Sequence, residues 1–548
     1  MRFAVMCNGT IFQQWQADAI RELQSQGHHL VLLIRDERPR TELGFIQRLL
    51  NKRRSTFLFT LLENRIFKPN AKKPVDLYLD LQSVDTIPCL VEKKGYSEYF
   101  RGDDVQSIRS FHLDFILRFG FNIIRGEILE AAQFGVWSFH HDDEMKYRGG
   151  PPGFWEIYYG DPVNGAILQR LTDKLDAGII LKKGYLKTTR HSYRGNLEQL
   201  LSVSSSWPAM VAKELLQRPG PVTYSETTSP VFKVPGNIQM IWFLCKLVWN
   251  RGRFYYHDWL AAEVWNIGLV RKPIHEVALG SEKLISTDIS WLPLIKSSGY
   301  LADPSGFIEE DSLHILAEDY SNVSGKAFIS EIIWRTDPVR VTDPVRVIEG
   351  EKHLSYPYVF RYENEVYCIP ESKQSSNIIM YRRKGDTFVE YRVLLDQVHA
   401  VDPTLIFYEG VWWLFFTHGK HSNTHLFIYF ASEPTGNYKP HRNNPVKIDI
   451  RSSRPAGTPF VHKGALYRPA QDCSVTYGGR VTINRVLRLT PEEFIEQPVN
   501  FVDPVRDSLF DKGLHTLSRV GNYTLIDGKR YRFNFHVFKS QLRNKLKG

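Results

Sequence analysis

The sequence predicts two dissimilar halves: an open, doubly wound α/β domain, then an all-β five-bladed β-propeller. Three observations carry this. The chain begins strand–helix–strand, a stretch rich in Pro, Ser and Thr interrupts it at 219–236, and strand-rich segments recur after about residue 256. The expected division is 1–218 for the α/β domain, 219–255 for a linker and apolar helix, and 256–548 for the propeller. At 548 residues the chain is too long for a single core.

"FAVMCNG" (3–9) reads as a strand, "QWQADAIRELQSQG" (14–27) as a helix stopped by Gly27, and "HLVLLIRD" (29–36) as a second strand. The continuous apolar run of that second strand suits a parallel sheet covered on both faces. The first loop lacks GxGxxG, so it does not favour a dinucleotide. Residues 37–75 are basic and irregular and read as a surface excursion. Then come a strand in 111–121, a short helix over 126–133 and a strand over 135–140. Two more strands, 166–172 and 178–186, are joined by "DKLDA". Residues 196–218 are helical, with Pro208 marking a break or a new start. "IQMIWFLCKLVW" (238–249) is about a dozen residues where a bilayer span needs about 20, so a buried helix is expected and no transmembrane segment.

The repeat is visible in "ADPSGFIEEDSLHILAED" (302–319), "SYPYVFRYENEVYCIPES" (355–372), "VDPTLIFYEGVWWLFFTH" (401–418) and "SRPAGTPFVHKGALYRPA" (453–470). Each has a polar-plus-Pro opening, a strand, a turn, and a second strand ending in polar groups. A degenerate fifth copy spans 513–533. Strand repeats about fifty residues long signal propeller blades.

The net charge of +10 favours anionic ligands weakly, but no long Lys/Arg run marks specific nucleic-acid binding. Five scattered cysteines form neither a disulfide framework nor a zinc motif. With no secretory signal pattern at the N-terminus, a cytoplasmic protein is expected.

"GVWSFHHDDEMKYRGGPPGF" (135–154) sets His140 at the carboxyl edge of a strand, where such sheets bind ligands. His140 with Asp176, in the turn before Gly178, would make a general base and its orienting carboxylate. A satisfied core histidine and a metal site are the other readings. Neighbouring residues of a strand face opposite ways, so His140 and His141 do not readily share an ion and no metal is expected. Asp142 and Glu144 read as solvated loop charges.

The order "DFILRFGFNII…GEIL…GVWSFH…YRGGPP…GDPVNGAILQRLTDKLDAGIIL" resembles the folate-dependent formyltransferases, a family that includes methionyl-tRNA and sugar N-formyltransferases. The likeness covers roughly residues 1–220 and implies a formyltransferase-type, Rossmann-like domain. It further implies transfer of a formyl group from 10-formyltetrahydrofolate to an amine. Its histidine falls on His140 and its aspartate on Asp176, while its asparagine falls on Ser138. The pterin would lie near Phe119, Gly120 and Phe121 and the loop holding Asp173 and Leu175. Losing an oxyanion donor costs about 3–4 kcal/mol, so replacing Asn by Ser138 asks for compensation, with His141 and Asp143 as candidates.

The second half resembles the five-bladed propellers of furanosidase/xylosidase-type glycosidases. It is closer to the propeller region of plant glucosamine inositolphosphorylceramide transferases, through "HLSYPYVF…IPES", "VDPTL…WWLF" and "SRPAG…LYRPAQDCS". In those plant proteins the transferase chemistry belongs to a separate domain, so the likeness implies a sugar-related module. The phased openings set Asp303, Tyr356, Asp402, Arg454 and His515 around a channel. Second-strand ends add Glu318, Asp319, Glu371, His418, Gln471 and Asp472. Asp303, Glu371, Asp402 and Arg454 are the expected substrate residues, since paired carboxylates serve glycoside chemistry. Trp412, Trp413, Tyr356 and Tyr467 are expected to stack on sugars. The expected ligands are an amino sugar, nucleotide-linked, for the first half and glycan for the second. The alternatives are a propeller-borne glycosidase or glycosyl-transfer enzyme with an inert first half, and a carbohydrate-binding protein.

Overall fold

The computed structural model describes residues 1–38, 54–174, 178–217, 223–224, 227–294, 299–336, 339–350, 352–372 and 375–533. The chain divides into two compact units, Met1–Phe254 and Tyr255–Gly548.

The first unit is built on an eight-stranded sheet. From one edge its order is Thr223–Tyr224, Ile179–Lys187, Val163–Arg170, Val136–His140, Phe115–Arg118, Arg2–Cys7, His29–Asp36 and Asp85–Cys89. The last five run parallel to one another, and the strands from Val163 onward in sequence are antiparallel to their neighbours. The inner parallel strands Phe115–Arg118 and Arg2–Cys7 are mostly apolar and buried because both faces are covered, whereas the edge strand Asp85–Cys89 is largely exposed. Phe3, Phe115 and Trp137 stack across three adjacent strands at 5.3 and 3.9 Å between ring centroids. The helix Gln14–Ser25 buries Trp15, Ala19, Ile20 and Leu23. Pro208 sits at the second position of a new helix, Trp207–Gln217, after the helix Tyr193–Ser204, which is where a missing N–H costs nothing.

The apolar stretch 238–249 lies in the helix Asn237–Leu260, and burial holds for only one face of it. Met240 and Phe243 are fully buried, Phe243 stacked on Phe154 at 4.1 Å, whereas Ile238, Trp242, Val248 and Trp249 are exposed. The stretch is apolar on every side, so composition could not say which side packs. Among the described residues no helix is long and apolar enough to cross a membrane.

The second unit contains five antiparallel sheets of four or five strands. The first joins Ala261–Val270, from the start of the unit, to Tyr523–Phe533 at its end through ten paired residues. The inner strands of the other four are Gly299–Glu309, Leu354–Tyr362, Ala400–Tyr408 and Phe460–His462.

Successive sheets are tied near their inner strands. Thr516 Oγ1 donates to Asp303 Oδ1 at 3.1 Å, Val359 N to Ser305 Oγ at 3.0 Å, and Tyr356 Oη meets Thr404 Oγ1 at 2.9 Å. Arg454 Nε donates to Asp402 Oδ2 at 2.6 Å, and a parallel bridge joins Gly457 to Leu517. These five ties close the unit on itself in a propeller-like order.

The polar-plus-Pro openings have a backbone cause. The inner strands slip register between Ala302 and Ser305, Ser355 and Tyr358, and Val401 and Thr404. The residue inside each slip, Asp303, Tyr356 or Asp402, takes a φ of 51, 44 or 53°. The proline that follows has no N–H for the ladder, so the strand bulges there, and a bulge re-aims its side chain. A non-glycine residue at such a φ stores about 1–3 kcal/mol, a strain that gathers at functional sites.

Candidate functional site

Each unit carries a large cavity among its described residues. That of the first unit, about 710 Å³, opens at the carboxyl ends of the strands Phe115–Arg118 and Val136–His140. Ser138 and His140, both pointing from the same strand by its two-residue period, line it together with Arg118. Ser138 is 2% exposed, and its Oγ accepts from Arg118 Nε at 3.1 Å and Nη2 at 2.8 Å. Arg118 Nη1 donates to the carbonyls of Asn122 at 2.6 Å and Phe121 at 3.3 Å. Burial pulls the Arg118 guanidinium below its ordinary value, while the charge of Glu98 opposes the fall. His140 Nε2 lies 3.2 Å from the carbonyl of Tyr147. A carbonyl only accepts, so in that contact the imidazole nitrogen is the donor.

Asp176 and Leu175 lie outside the described residues. Asp173 lines the cavity and accepts the Gly126 N–H at 3.1 Å, and Phe121 lines it too. Phe119 and Gly120 do not. The Phe119 ring packs edge-on against Trp15 at 5.4 Å, and a Cβ on Gly120 would come within 3.0 Å of the Cys7 backbone. Both serve the packing of strand ends.

The expected compensators for Ser138 also point elsewhere. His141 is buried against Trp15 and Phe139, bonded through Nε2 to Ser204 Oγ at 3.0 Å, and burial pushes its ring down to about 3. Asp143 is paired with Lys183 at 3.2 Å. Arg118 instead supplies the polar partner. Its sequence signal was a lone cation ending the apolar run "FILR".

Asp142 and Glu144 are likewise not solvated. Glu144 binds Lys183 at 2.7 Å, and Asp142 accepts the Gly153 N–H at 2.7 Å. Burial and the neighbouring Glu156 raise Asp142 well above its usual range; burial lifts Glu156 to about 8. These acids brace the turn into the "RGGPPG" loop from inside, a role no local pattern distinguishes from solvation.

The second cavity, about 850 Å³, is lined by Asp303, Glu318, Glu371 and Arg454 with Tyr300 and Tyr477. Asp402 sits behind it, held by Arg454 and by Gln471 Nε2 at 2.8 Å. Two carboxyl pairs are hydrogen-bonded, Asp303 with Glu318 and Glu371 with Asp402. Burial raises Asp303 and Glu318 and pushes Glu371 up to about 8. His515 lies 2.5 Å from Asp527 and 3.4 Å from Asp303. Burial alone would lower His515, but these two acids outweigh it and raise it. His418 lines the cavity, whereas Asp319 accepts from Ser330 and Asp472 from Arg480.

The expected sugar-stacking rings are structural. Tyr356 Oη accepts the Gly457 N–H at 2.7 Å, Tyr467 stacks on Phe460 at 5.4 Å, Trp412 packs on Phe407, and Trp413 is buried. Tyr300, Tyr320 and Tyr477 take the cavity wall instead. Aromatic content alone does not separate core rings from lining rings.

Residues 287–511 match a family model described as Glucosamine inositolphosphorylceramide transferase 1, N-terminal. The transferase of that name from Oryza sativa subsp. japonica is 35% identical over 214 residues, covering 37% of this chain and 28% of that protein. A methionyl-tRNA formyltransferase from Prochlorococcus marinus is 26% identical over 114 residues, 21% of this chain and 35% of that protein. An α-L-arabinofuranosidase from Podospora anserina, solved with cellotriose, is 11% identical with a TM-score of 0.33, covering 44% of this chain and 93% of that one. The match to the curated rice relative thus spans less than a third of its length.

Proposed function

We propose that the first unit transfers a formyl group from 10-formyltetrahydrofolate to the amine of a nucleotide-linked amino sugar. In this reading the five sheets of the second unit are the blades of a carbohydrate-directed propeller. The observation that carries the proposal is the meeting of Ser138, His140 and Arg118 in one cavity. The cavity also suits the folate. Phe121, Ile124 and Leu171 offer apolar walls to a flat ring, and Lys93, Arg125 and Lys174 offer cations to the carboxylates of its glutamyl tail. When bound, that cofactor supplies the activated one-carbon group.

The residues divide the remaining work. His140 would take the proton that the amine gives up as its nitrogen bonds to the formyl carbon, and would return it to the folate nitrogen as that nitrogen's bond to the formyl carbon breaks. Negative charge then grows on the formyl oxygen. Two Arg118 N–H groups already occupy the lone pairs of Ser138 Oγ, so the hydroxyl proton is the part of Ser138 left to donate. The guanidinium makes that proton a stronger donor, and this is how a side chain shorter than asparagine serves the developing oxyanion. The test is formyl transfer by the full chain to a UDP- or dTDP-linked amino sugar. A rate unchanged by His140→Ala would overturn the site.

A second reading is favoured by the carboxyl pairs of the second cavity, which suit acid/base work on a glycosidic bond. Hydrolysis of aryl glycosides that disappears in Asp402→Asn would support it.

A further inference from the structure

The second cavity holds more acid than its own bases neutralise. Asp303, Glu318, Glu371, Asp402 and Asp527 gather there around two buried bases, Arg454 and His515. Arg454 is committed to Asp402, through Nε at 2.6 Å and Nη2 at 3.2 Å, and His515 to Asp527 at 2.5 Å and Asp303 at 3.4 Å. At the margin, Lys529 is bound to Glu263 at 3.1 Å, and Lys420 is exposed. Of the rings of His353, His399 and His418 on the wall, burial lowers His418. What remains is Glu318, whose carboxyl meets that of Asp303, and the Glu371 carboxyl, both on the wall of the cavity.

Two further groups await a partner. Glu318 is 9% exposed, and among the described residues no N–H or hydroxyl donates to it; its contact is the carboxyl of Asp303. Ser372 lines the same cavity, and its buried Oγ has no hydrogen-bond partner among the described residues. A cation placed here would let the carboxyls release their shared protons and ionise, which a purely hydroxylated ligand cannot do and an anion would oppose. The cavity's volume of about 850 Å³ suits a mono- or disaccharide. Tyr300 and Tyr320, stacked at 4.8 Å, give it an aromatic wall for the apolar face of a sugar ring.

We propose that this cavity binds a protonated amino sugar, its ammonium against the carboxyls of Glu318 and Glu371 and its ring against Tyr300. The choice of a sugar amine over other cations rests on the amine-acceptor reading of the first unit. The cavity then discriminates by charge: N-formylation abolishes the ammonium, so an amine is held and its formylated product is not.

The test is calorimetry on the full chain, without folate, at pH 7. Its probes are glucosamine and its β-1,4-linked dimer, with glucose, N-acetylglucosamine and N-formylglucosamine as neutral controls. Glucosamine should bind at least about tenfold tighter than any control, a difference of about 1.4 kcal/mol. Repeating the titration in buffers of different ionisation enthalpy should show protons released on binding. Glu318→Gln and Glu371→Gln keep the shape of the side chains, so each should lose that preference without lowering the melting temperature. Equal affinity for amine and neutral sugars, or binding without proton release, overturns the proposal. Calcium chloride alone binding with the same dependence on Glu318 also overturns it, in favour of a metal site. Failure of formyl transfer with every amine would sink the reading of the first unit but leave a positive binding result standing. In that case the cavity is an amine site unconnected to formylation.

Discussion

In the first cavity the charge beside Ser138 is a half-buried cation, Arg118, donating to the neutral oxygens of Ser138, Phe121 and Asn122, while the buried Glu98 carboxyl on the wall is paired with Arg38. In the second stands a set of carboxyls, of which Asp402 lies against Arg454, and Asp527 and Asp303 against His515, while Glu318 has no such partner among the described residues. One site is arranged to meet negative charge as it develops; the other is loaded with protons that a positive charge would displace. Both keep polar groups out of water, but the unmatched sign differs, and the unmatched sign tells what each is suited to receive.

The most direct way to break that contrast is at the base. His140→Ala should lower formyl transfer by about 10²–10⁴-fold, read as kcat on an amino-sugar acceptor. Ser138→Ala and Arg118→Met should each cost about 10²–10³-fold, and the double variant little more than either alone, since the two act on one oxygen. Ser138→Asn measured beside them sharpens the point by asking whether the longer amide works without the guanidinium.

In the second unit the expected effect falls on stability. Arg454→Met leaves Asp402 buried without its partner and should destabilise that unit by about 3–5 kcal/mol in denaturant unfolding.

The smallest effect concerns Asp142 and Glu156 of the first unit. Both carboxyls are raised in the fold, Glu156 to about 8, so the folded state holds protons that the unfolded state has lost. Their contribution is therefore fully present below the ordinary carboxylate range and drains as pH climbs toward about 8. Glu156→Gln removes the Glu156 share of that slope and should raise the melting temperature at pH 8 by about 2–4 °C per kcal/mol regained, with no gain at pH 4.

Much of this was legible from patterns that repeat with a structural period. Alternation of strand and helix marked the first sheet, and the proline after Asp303, Tyr356 and Asp402 marked three bulged inner strands, because a residue without an N–H disturbs any ladder it enters. Strand alternation separated His140 from His141, and Ser138 and His140 line one cavity while His141 is buried against Trp15. Where prediction went astray, the local sequence was the same for either outcome. Trp412 and Trp413 look like sugar platforms, as Tyr300 and Tyr477 also do, yet only the latter pair lines a cavity.

From the chain alone came the two architectures, the repeat and the residue types gathered near His140, all of them consequences of chain-local geometry and periodic burial. Folding in three dimensions decided that Arg118 rather than His141 serves Ser138, that Asp142 and Glu144 are interior, and that Asp303, Glu318 and Glu371 meet around one space. Those outcomes depend on groups brought together from distant parts of the chain, where burial fixes which partner a charge finds and whether it keeps its proton, and no stretch of sequence carries that information by itself.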